Sequence, residues 1–282
     1  MNEPKLHENT CATWIYDYLK GIYRPRFPIL VNELKTALLA AREAAKIADE
    51  NWGAPSTLKR DNSPVTIADT MAEEAIREII LGEFPDHAIL GEEGGMEGKS
   101  DYTWVIDPID GTLLYSRSMK YFTTLIALFH KGDIVLGVSN APKINELMYA
   151  KQGEGAYLND EKITVSKISK LEDAFAIHSS LKSFLSTNSL DNLKRLEKII
   201  WRLRGYGGLL GAHAVASGHA EAFVSSQLKI WDIAALAAIV TEAGGKATDI
   251  KGNKLSLFST SALLTNGMLH PNFLAAFNGQ EF

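Results

Sequence analysis

Two aspartates, Asp107 and Asp110, lie three residues apart with a proline between them, and Gly111 and Thr112 follow directly. The apolar residues before Asp107 predict the end of a buried strand, which Pro108 should terminate because proline offers no N–H to a sheet. Carboxylate oxygens are ligands that Mg²⁺ prefers, and Gly111 allows close approach where a following helix presents free N–H groups to an anion. The spacing therefore indicates a hard-cation site beside a phosphate cradle, and an Asp-Pro turn with Thr112 as a helix N-cap is the alternative.

Two further segments place acids at the ends of predicted elements. Upstream, a short apolar strand at 88–90 leads into the string GEEGG (91–95), so that Glu92 and Glu93 lie among glycines. Downstream, Asp232 directly precedes an apolar helix predicted over 233–243, where it is placed to cap the helix, to bind metal or to do both. These segments favour the metal-site interpretation over a simple turn.

The same segments resemble the inositol monophosphatase family of Mg²⁺-dependent, lithium-sensitive phosphatases over roughly residues 32–282. The shared strings, in the family's order and approximate spacing, are KRDNSPVTIAD (59–69), GEE (91–93), WVIDPIDGT (104–112), and WDIAA (231–235) with EAGG (242–245). The resemblance implies an α/β (α+β layered) fold, the αβαβα sandwich of the sugar phosphatases. Four ordered motifs specify chemistry better than substrate, because the family acts on inositol phosphates, histidinol phosphate, 3'-phosphoadenosine 5'-phosphate and fructose bisphosphate.

The resemblance also implies a set of metal ligands. One Mg²⁺ ion would be held by Glu92, Asp107 and the carbonyl of Ile109, and a second by Asp107, Asp110 and Asp232. Asp107 would therefore bridge the ions, and Glu92 would be a catalytic residue as well as a ligand. About two or three Mg²⁺ ions are expected, with Mn²⁺ as a substitute, since bound cations activate water, bridge phosphate oxygens and stabilise the departing alkoxide.

Asp69 and Thr112 match the family's water-activating pair. Thr112 would contact the nucleophilic water while Asp69 orients the threonine hydroxyl, which makes sense only where metal has acidified the water, since threonine is a weak base. The alternative for Asp69 is an acid on a helix face with no catalytic role. Phosphate would rest on backbone N–H groups of Gly111 and Thr112. Glu93 is expected to support the site rather than to bind metal.

The substrate-recognition positions depart from the family pattern. Seven residues before the metal-binding aspartate, a carboxylate commonly contacts substrate hydroxyls or an amine, but Ser225 stands there. The histidinol-phosphatase branch often carries an R-x-G-G-D string, and alignment of Arg204 with its arginine puts Gly208 in place of the acid. The segment FPDHAILGEE (84–93) and Lys229 nevertheless resemble that branch. Arg204, Ser225 and Lys229 are therefore the expected substrate contacts.

Composition is that of an ordinary globular chain of 282 residues, with 46% hydrophobic and 22% charged residues. The net charge of −5 argues against a nucleic-acid partner, and no apolar run approaches the length of a membrane span. The seven histidines show no zinc-ligand spacing. A polar N-terminus and the single cysteine, Cys11, lead us to expect a cytoplasmic protein. The expected partners are a small phosphorylated metabolite and, in a homodimer, a second copy of the chain.

Hydrophobic periodicity predicts two amphipathic helices, 34–51 and 66–81, the second with Glu73, Glu74 and Arg77 on its polar face. Short β-type runs at 121–130, 134–139, 146–150 and 155–158 predict an antiparallel meander. The second half alternates between strands at 174–178, 222–224 and 262–264 and helices at 190–200, 208–217 and 233–243. We expect a domain of residues 31–282 in two packed halves, about 31–168 and 169–282.

Residues 1–30 form an extension before the region of the resemblance. Five apolar residues there are spaced as one face of a short helix that packs on its own domain, or that makes a dimer contact or a lid: Trp14, Ile15, Tyr18, Leu19 and Tyr23.

Two function hypotheses follow. The first is a phosphatase of small phosphorylated polyols, with inositol 1-phosphate as the default substrate and histidinol phosphate or 3'-phosphoadenosine 5'-phosphate as alternatives. The second is a weakly active relative with a binding or regulatory role. The intact acids argue against the second, since buried like charges are costly without metal.

Overall fold

Two amphipathic helices come first in the computed structural model, which describes residues 30–279. Helix α1 spans Val31–Glu50 and helix α2 spans Ile67–Glu83, so both predicted helices are confirmed with small shifts at their ends. Alanines line the buried face of α1, and such small side chains let a helix lie close to a sheet. A short hairpin of β1 (Thr57–Leu58) and β2 (Pro64–Val65) joins the helices. The predicted helix at 14–23 lies outside the described residues.

The first large sheet carries the predicted meander. Its strands are β3 (Ala88–Gly91), β4 (Gly95–Glu97), β5 (Tyr102–Asp110), β6 (Thr123–His130), β7 (Asp133–Ala141), β8 (Glu146–Lys151), β9 (Gly155–Leu158) and β10 (Glu161–Ile163). They pair in the order β10-β9-β8-β7-β6-β5-β3-β4. The pairs from β5 to β10 are antiparallel, which confirms the meander, whereas β3 and β5 run parallel.

The second sheet belongs to the alternating part of the chain. Its strands are β11 (Phe175–His178), β12 (Arg202–Gly205), β13 (Ala222–Ser225), β14 (Lys246–Thr248) and β15 (Ala262–Thr265), paired in the order β12-β11-β13-β15-β14. The remaining helices are α3 (Thr112–Tyr115), α4 (Leu181–Ser186), α5 (Leu190–Ile199), α6 (Gly208–Ala216), α7 (Ala234–Glu242) and α8 (His270–Asn278). Strands β12 and β14 and helices α4 and α8 of this part of the chain were not predicted from the sequence.

Helices and sheets alternate in layers. Helix α1 lies on one face of the first sheet, where the Asn140 side chain of β7 donates a hydrogen bond to the Ala41 carbonyl at 2.9 Å, and α2 packs on β5. Helices α6 and α7 lie between the two sheets, and α4, α5 and α8 pack on the second sheet through a separate apolar cluster. The order confirms the predicted αβαβα sandwich.

Helix α7 packs very closely on strand β7. A Cβ atom on Gly137 would lie 2.3 Å from the carbonyl oxygen of Ala235, so only glycine allows this approach. The 3₁₀ turn Ile230–Asp232 directly precedes α7 and contacts β5 and β6. Close packing of the helix therefore fixes Asp232 beside the end of strand β5.

Strand β5 continues through Pro108, so the prediction that this proline ends the strand was wrong. Asp107 pairs with Leu125 and Asp110 pairs with Thr123, and the register shifts between them as a β-bulge. A bulge tolerates the missing N–H of proline. In a regular strand, residues three apart point to opposite faces, but the extra residue of the bulge brings Asp107 and Asp110 to the same face.

Among residues 30–279, no helix combines the length and the apolar character needed to cross a bilayer. The expected division of the domain near residue 168 stays a prediction.

Candidate metal centre

Three aspartates meet at the bulged end of strand β5. One carboxylate oxygen from each of Asp107, Asp110 and Asp232 lies within 4.8 Å of the other two. The bulge supplies the first two carboxylates, and the 3₁₀ turn before α7 supplies the third. Hard oxygen donors in so small a volume match the preference of divalent cations such as Mg²⁺ and Mn²⁺.

Burial and the charges of neighbouring carboxylates raise the pKa values of all three carboxyls. Burial, with the Asp232 charge second, raises the pKa of Asp110 to about 8. Burial also raises the pKa of Asp232 to about 7, although a backbone N–H group stabilises its charge. For Asp107, burial and then the charges of Glu92, Asp110 and Asp232 hold the pKa well above its ordinary value. A bound cation would relieve this repulsion.

Backbone N–H groups orient two of the carboxylates. Ile109 N–H donates to Asp107 Oδ1 at 3.1 Å, and Lys229 N–H donates to Asp232 Oδ2 at 2.7 Å. Asp232 therefore caps its own 3₁₀ turn, and helix α7 begins two residues later at Ala234. Of the alternatives left open for Asp232, capping of the apolar helix is excluded, because Asp232 ends the 3₁₀ turn and Ile233 is the N-cap residue of α7.

Glu92 is hydrogen-bonded to a lysine rather than grouped with the three aspartates. Lys59 Nζ lies 2.6 Å from Glu92 Oε1 and 2.7 Å from Glu93 Oε1. Burial lowers the pKa of Lys59, but its hydrogen bonds to the two glutamates outweigh this and raise the pKa above its ordinary value. Lys59 has no spacing in the sequence that points to this role, and its one signal is its position at the start of the string 59–69.

Glu73 holds the loop that carries Glu92 and Glu93. Its carboxylate accepts the N–H groups of Glu93 at 2.8 Å and Gly94 at 2.7 Å, and Arg77 Nε donates to it at 3.0 Å. Glu73 is 2% exposed, so this residue of the predicted polar face is buried. The helix turns this acid towards the loop, where it pairs with backbone donors.

Glu73→Ala is expected to lower the free energy of unfolding by about 3 kcal/mol, because it leaves Arg77 and two backbone N–H groups without their buried acceptor. Urea denaturation of the metal-free protein measures this loss. Glu74→Ala is the matched control, since Glu74 is exposed on the same helix and its loss should cost less than about 0.5 kcal/mol. Equal stability of the two variants would contradict the structural role of Glu73.

Asp69 and Thr112 form a hydrogen-bonded pair close to the aspartates. Thr112 Oγ1 lies 3.0 Å from Asp69 Oδ1 and 3.0 Å from the carbonyl oxygen of Ile109. Asp69 Oδ2 accepts both the N–H and the hydroxyl of Thr66, at 2.8 and 2.6 Å. Burial raises the pKa of Asp69, although these hydrogen bonds work against it. Asp69 is 1% exposed, and its catalytic role stays a prediction.

Gly111 turns the chain from strand β5 into the four-residue helix α3. Its φ of +94° is in the left-handed region, and a Cβ atom there would lie 3.0 Å from the carbonyl oxygen of Tyr121. Glycine is therefore required both for conformation and for space. The turn places Thr112 at the start of α3 with its hydroxyl towards Asp69.

The three expected substrate contacts differ in their surroundings. Ser225 ends strand β13 and is 2% exposed, and its hydroxyl donates to the carbonyl oxygen of Gln227 at 3.1 Å. Arg204 is exposed on the edge strand β12. Lys229 is exposed beside the 3₁₀ turn, and its charge lowers the pKa of Asp232. Of these three residues, Lys229 is therefore the one that interacts with the aspartate cluster.

Helix α6 begins against the metal-binding candidates. A Cβ atom on Gly208, its first residue, would lie 4.0 Å from Asp110 Oδ2. An aspartate at this position, as the histidinol-phosphatase string would place it, would put another carboxylate beside the cluster. Glycine at 208 therefore leaves this side of the site open.

The raised pKa values predict that the metal-free protein loses stability as pH rises. From about pH 4 to about pH 8 the unfolded chain has released protons that the folded carboxyls of Asp110 and Asp232 still bind, so unfolding releases protons and becomes easier at higher pH. Metal binds the ionised carboxylates, so Mg²⁺ should bind more tightly and raise the melting temperature most at the alkaline end of this range. Thermal unfolding in EDTA and in Mg²⁺ at several pH values measures both effects. A melting temperature unchanged by Mg²⁺, Mn²⁺ and Ca²⁺ would contradict the site.

An all-oxygen acidic site at the end of a buried strand, beside a threonine hydroxyl that is hydrogen-bonded to an aspartate, is typical of enzymes that hydrolyse phosphate esters with bound cations. The chain belongs to the inositol monophosphatase family, whose sequence model matches residues 30–281.

Two relatives that match nearly the whole chain are named as phosphatases. A fructose-1,6-bisphosphatase/inositol-1-monophosphatase of Thermotoga maritima is 33% identical over 252 residues, which cover 88% of this chain and 96% of that protein. A histidinol-phosphatase of Chlorobaculum parvum is 34% identical over 256 residues, 89% of this chain and 99% of that protein. The structure of a Thermotoga maritima IMPase matches with a TM-score of 0.79 at 33% identity, covering 88% of this chain and 98% of that one. The resemblance is confirmed, and the chain is a phosphoric monoester hydrolase.

Proposed function

We propose that this enzyme is a Mg²⁺-dependent phosphatase of small phosphorylated polyols, with inositol 1-phosphate as its leading substrate. The observation that carries the proposal is the cluster of Asp107, Asp110 and Asp232 beside the pair of Thr112 and Asp69. The donors are all oxygens, and their repulsion and burial call for cations. Mg²⁺ suits such donors, and Mn²⁺ is a substitute.

Two ion positions are proposed within this set. Asp107, Asp110 and Asp232 would hold one ion, and Glu92, Asp107 and the Ile109 carbonyl would hold the other. The Thr112 hydroxyl has one proton, and it can donate that hydrogen bond to Asp69. The Ile109 carbonyl oxygen is then available to bind an ion. Glu93 can retain the ammonium of Lys59 when Glu92 binds metal. Bound cations would acidify a water and neutralise the phosphate oxygens.

The protein's own residues would direct the attack. The Thr112 hydroxyl donates a hydrogen bond to Asp69, so its oxygen lone pair is free to accept a hydrogen bond from the attacking water. Thr66 fixes the Asp69 carboxylate through two hydrogen bonds, which holds that direction. The backbone N–H groups of Gly111 and Thr112 would receive the phosphate. Lithium inhibition and a homodimer are proposed from membership of the family.

Turnover of a panel of phosphate esters at saturating Mg²⁺ tests the substrate. The panel contains inositol 1-phosphate, histidinol phosphate, 3'-phosphoadenosine 5'-phosphate and fructose 1,6-bisphosphate, and kcat/KM is compared across it. We expect the polyol phosphate to be preferred. Histidinol phosphate is the second candidate, supported by the relative from Chlorobaculum parvum. Preference for the nucleotide, or hydrolysis of none of the four, would contradict the proposed substrate class.

Ser225 is expected to limit discrimination among these substrates, because one short hydroxyl replaces a carboxylate that would pair with an amine or with two hydroxyls. Ser225→Glu should raise kcat/KM for inositol 1-phosphate or histidinol phosphate. The gain should correspond to at most ~1.5 to 3 kcal/mol of activation free energy, the value of a hydrogen bond to a charged group. Ser225→Gln, of equal size and without charge, is the control, and thermal unfolding checks the fold. If the wild type is already highly selective for one of these substrates and the glutamate lowers that selectivity, other residues must recognise the substrate. Arg204 and Lys229 would then be the next candidates.

A further inference from the structure

Four polar side chains form a continuous hydrogen-bonded chain inside the core between the two sheets. Glu146 Oε2 lies 2.6 Å from His213 Nδ1, His213 Nε2 lies 2.8 Å from Ser139 Oγ, and Ser139 Oγ lies 2.9 Å from Thr123 Oγ1. We call these residues the core relay. Only Glu146 is partly exposed, and the side chains beyond it are buried among apolar residues.

The core relay is not a second catalytic triad. Ser139 and Thr123 are each 0% exposed, so neither hydroxyl can reach a substrate. The proton directions are nevertheless consistent along the whole chain. With Nδ1–H of His213 donating to Glu146, Nε2 accepts the Ser139 proton and Ser139 accepts the Thr123 proton. The His213 hydrogen bond lowers the pKa of Glu146, so a charged acceptor anchors the outer end.

Two members of the core relay, Thr123 and His213, belong to elements that contact Asp110. Thr123 is the cross-strand partner of Asp110 at the bulge. His213 lies in α6, and a Cβ on the first residue of that helix, Gly208, would lie 4.0 Å from Asp110 Oδ2. The core relay therefore connects the strand that pairs with Asp110 to the helix whose first residue lies beside the Asp110 carboxylate.

The core relay also joins two layers of the fold. Thr123, Ser139 and Glu146 belong to strands β6, β7 and β8 of the first sheet, whereas α6 packs on the second sheet, where a Cβ on Gly211 would lie 2.3 Å from the Phe223 ring. The apolar contacts around the core relay hold the two layers together, but they are non-directional and do not fix how one layer is oriented on the other. Hydrogen bonds fix both distance and orientation.

We propose that the core relay positions Asp110 relative to the start of helix α6, and that it thereby sets the affinity of the site for a divalent cation. Its members are positioning residues, since none of them touches the cation or the substrate. The inference rests on the proposed function only in requiring that Asp110 binds a cation. Loss of one hydroxyl of the core relay should therefore weaken metal binding in a protein that remains folded.

The test compares two isosteric changes at buried strand threonines. Thr123→Val removes the inner hydroxyl of the core relay. Thr265→Val is the matched control, because Thr265 is also 0% exposed and its Oγ1 lies 2.9 Å from Nδ1 of the buried His270, in a network of the second sheet. The dissociation constant of Mn²⁺ alone is measured by calorimetry at fixed pH, and thermal unfolding of each variant is recorded beside it. Thr123→Ser tests whether restoring the hydroxyl restores affinity.

We expect Thr123→Val to weaken Mn²⁺ binding about three- to tenfold, the scale of one lost supporting hydrogen bond, and Thr265→Val to change it less than about twofold. Thr123→Ser should bind as the wild type does. If Thr123→Val fails to fold, Glu146→Ala removes the anchor at the partly exposed end and should weaken Mn²⁺ binding in the same way.

Two results would overturn the proposal. Unchanged Mn²⁺ affinity in folded Thr123→Val or Glu146→Ala, with lower melting temperature only, would make the core relay purely structural and leave the phosphatase function intact. Failure of the wild type to bind Mn²⁺ would refute the metal centre and the proposal together. Normal Mn²⁺ binding without phosphatase activity would refute the proposed function alone.

Discussion

Asp107→Asn is expected to reduce kcat by about 10³ or more, because it removes the charge that would bridge the two proposed ions. The change should leave the fold in place, since asparagine has nearly the same shape and its oxygen can still accept the Ile109 N–H. It also removes one of several mutually repelling buried charges. The metal-free variant should therefore unfold at a higher temperature than the metal-free wild type near pH 8, while Mg²⁺ should no longer stabilise it.

Phosphate release and thermal unfolding in EDTA and in Mg²⁺ measure these opposite effects. Asp101→Asn is the matched control, because Asp101 directly precedes strand β5 and its side chain is 69% exposed. That variant should behave as the wild type in both assays. An Asp107→Asn enzyme with near-normal turnover would remove Asp107 from the metal site.

Thr112→Ala is expected to lower kcat by about 10², the usual scale for losing a group that handles the proton of the nucleophile. The variant keeps all proposed metal ligands, so the rise in melting temperature with Mg²⁺ should stay nearly intact. Thr112→Ser keeps a hydroxyl within reach of Asp69 and should recover most of the activity. The separation of turnover from metal binding distinguishes this residue from Asp107.

Near-full activity of Thr112→Ala would mean that bound metal alone activates the nucleophile. The hydrogen bond from Thr112 to Asp69 would then have only a structural role. A loss of Mg²⁺ stabilisation as large as the loss of turnover would contradict the assignment in a different way, because the hydroxyl would then support the ligands rather than the water.

The candidate site was predictable from sequence where local spacing carries the chemistry. Asp107 and Asp110 could be paired because they are three residues apart, and Asp232 because it precedes an apolar helix. The bulge that brings the first two to one face was not predicted. Its register depends on pairing with Leu125 and Thr123 of another strand, which the segment itself does not contain.

Long-range partners account for the other differences. Periodicity placed Glu73 on the polar face of its helix, but the period of a helix does not reveal that a loop covers this position. Lys59 had no signal of its own beyond its motif, since its partners Glu92 and Glu93 lie more than thirty residues away in the chain. His213 showed no metal-ligand spacing, and its role in the core relay depends on three strands of the sheet. The layered fold was easier to predict, because long periodic helices and a meander are local patterns.

The most direct measurement of the central claim is release of inorganic phosphate from inositol 1-phosphate as Mg²⁺ is restored to EDTA-treated protein. We predict no turnover without metal, turnover that saturates with Mg²⁺, and a kcat lower by about 10³ or more for Asp107→Asn at every Mg²⁺ concentration. Undiminished hydrolysis in excess EDTA would contradict the claim that clustered carboxylates act through bound cations.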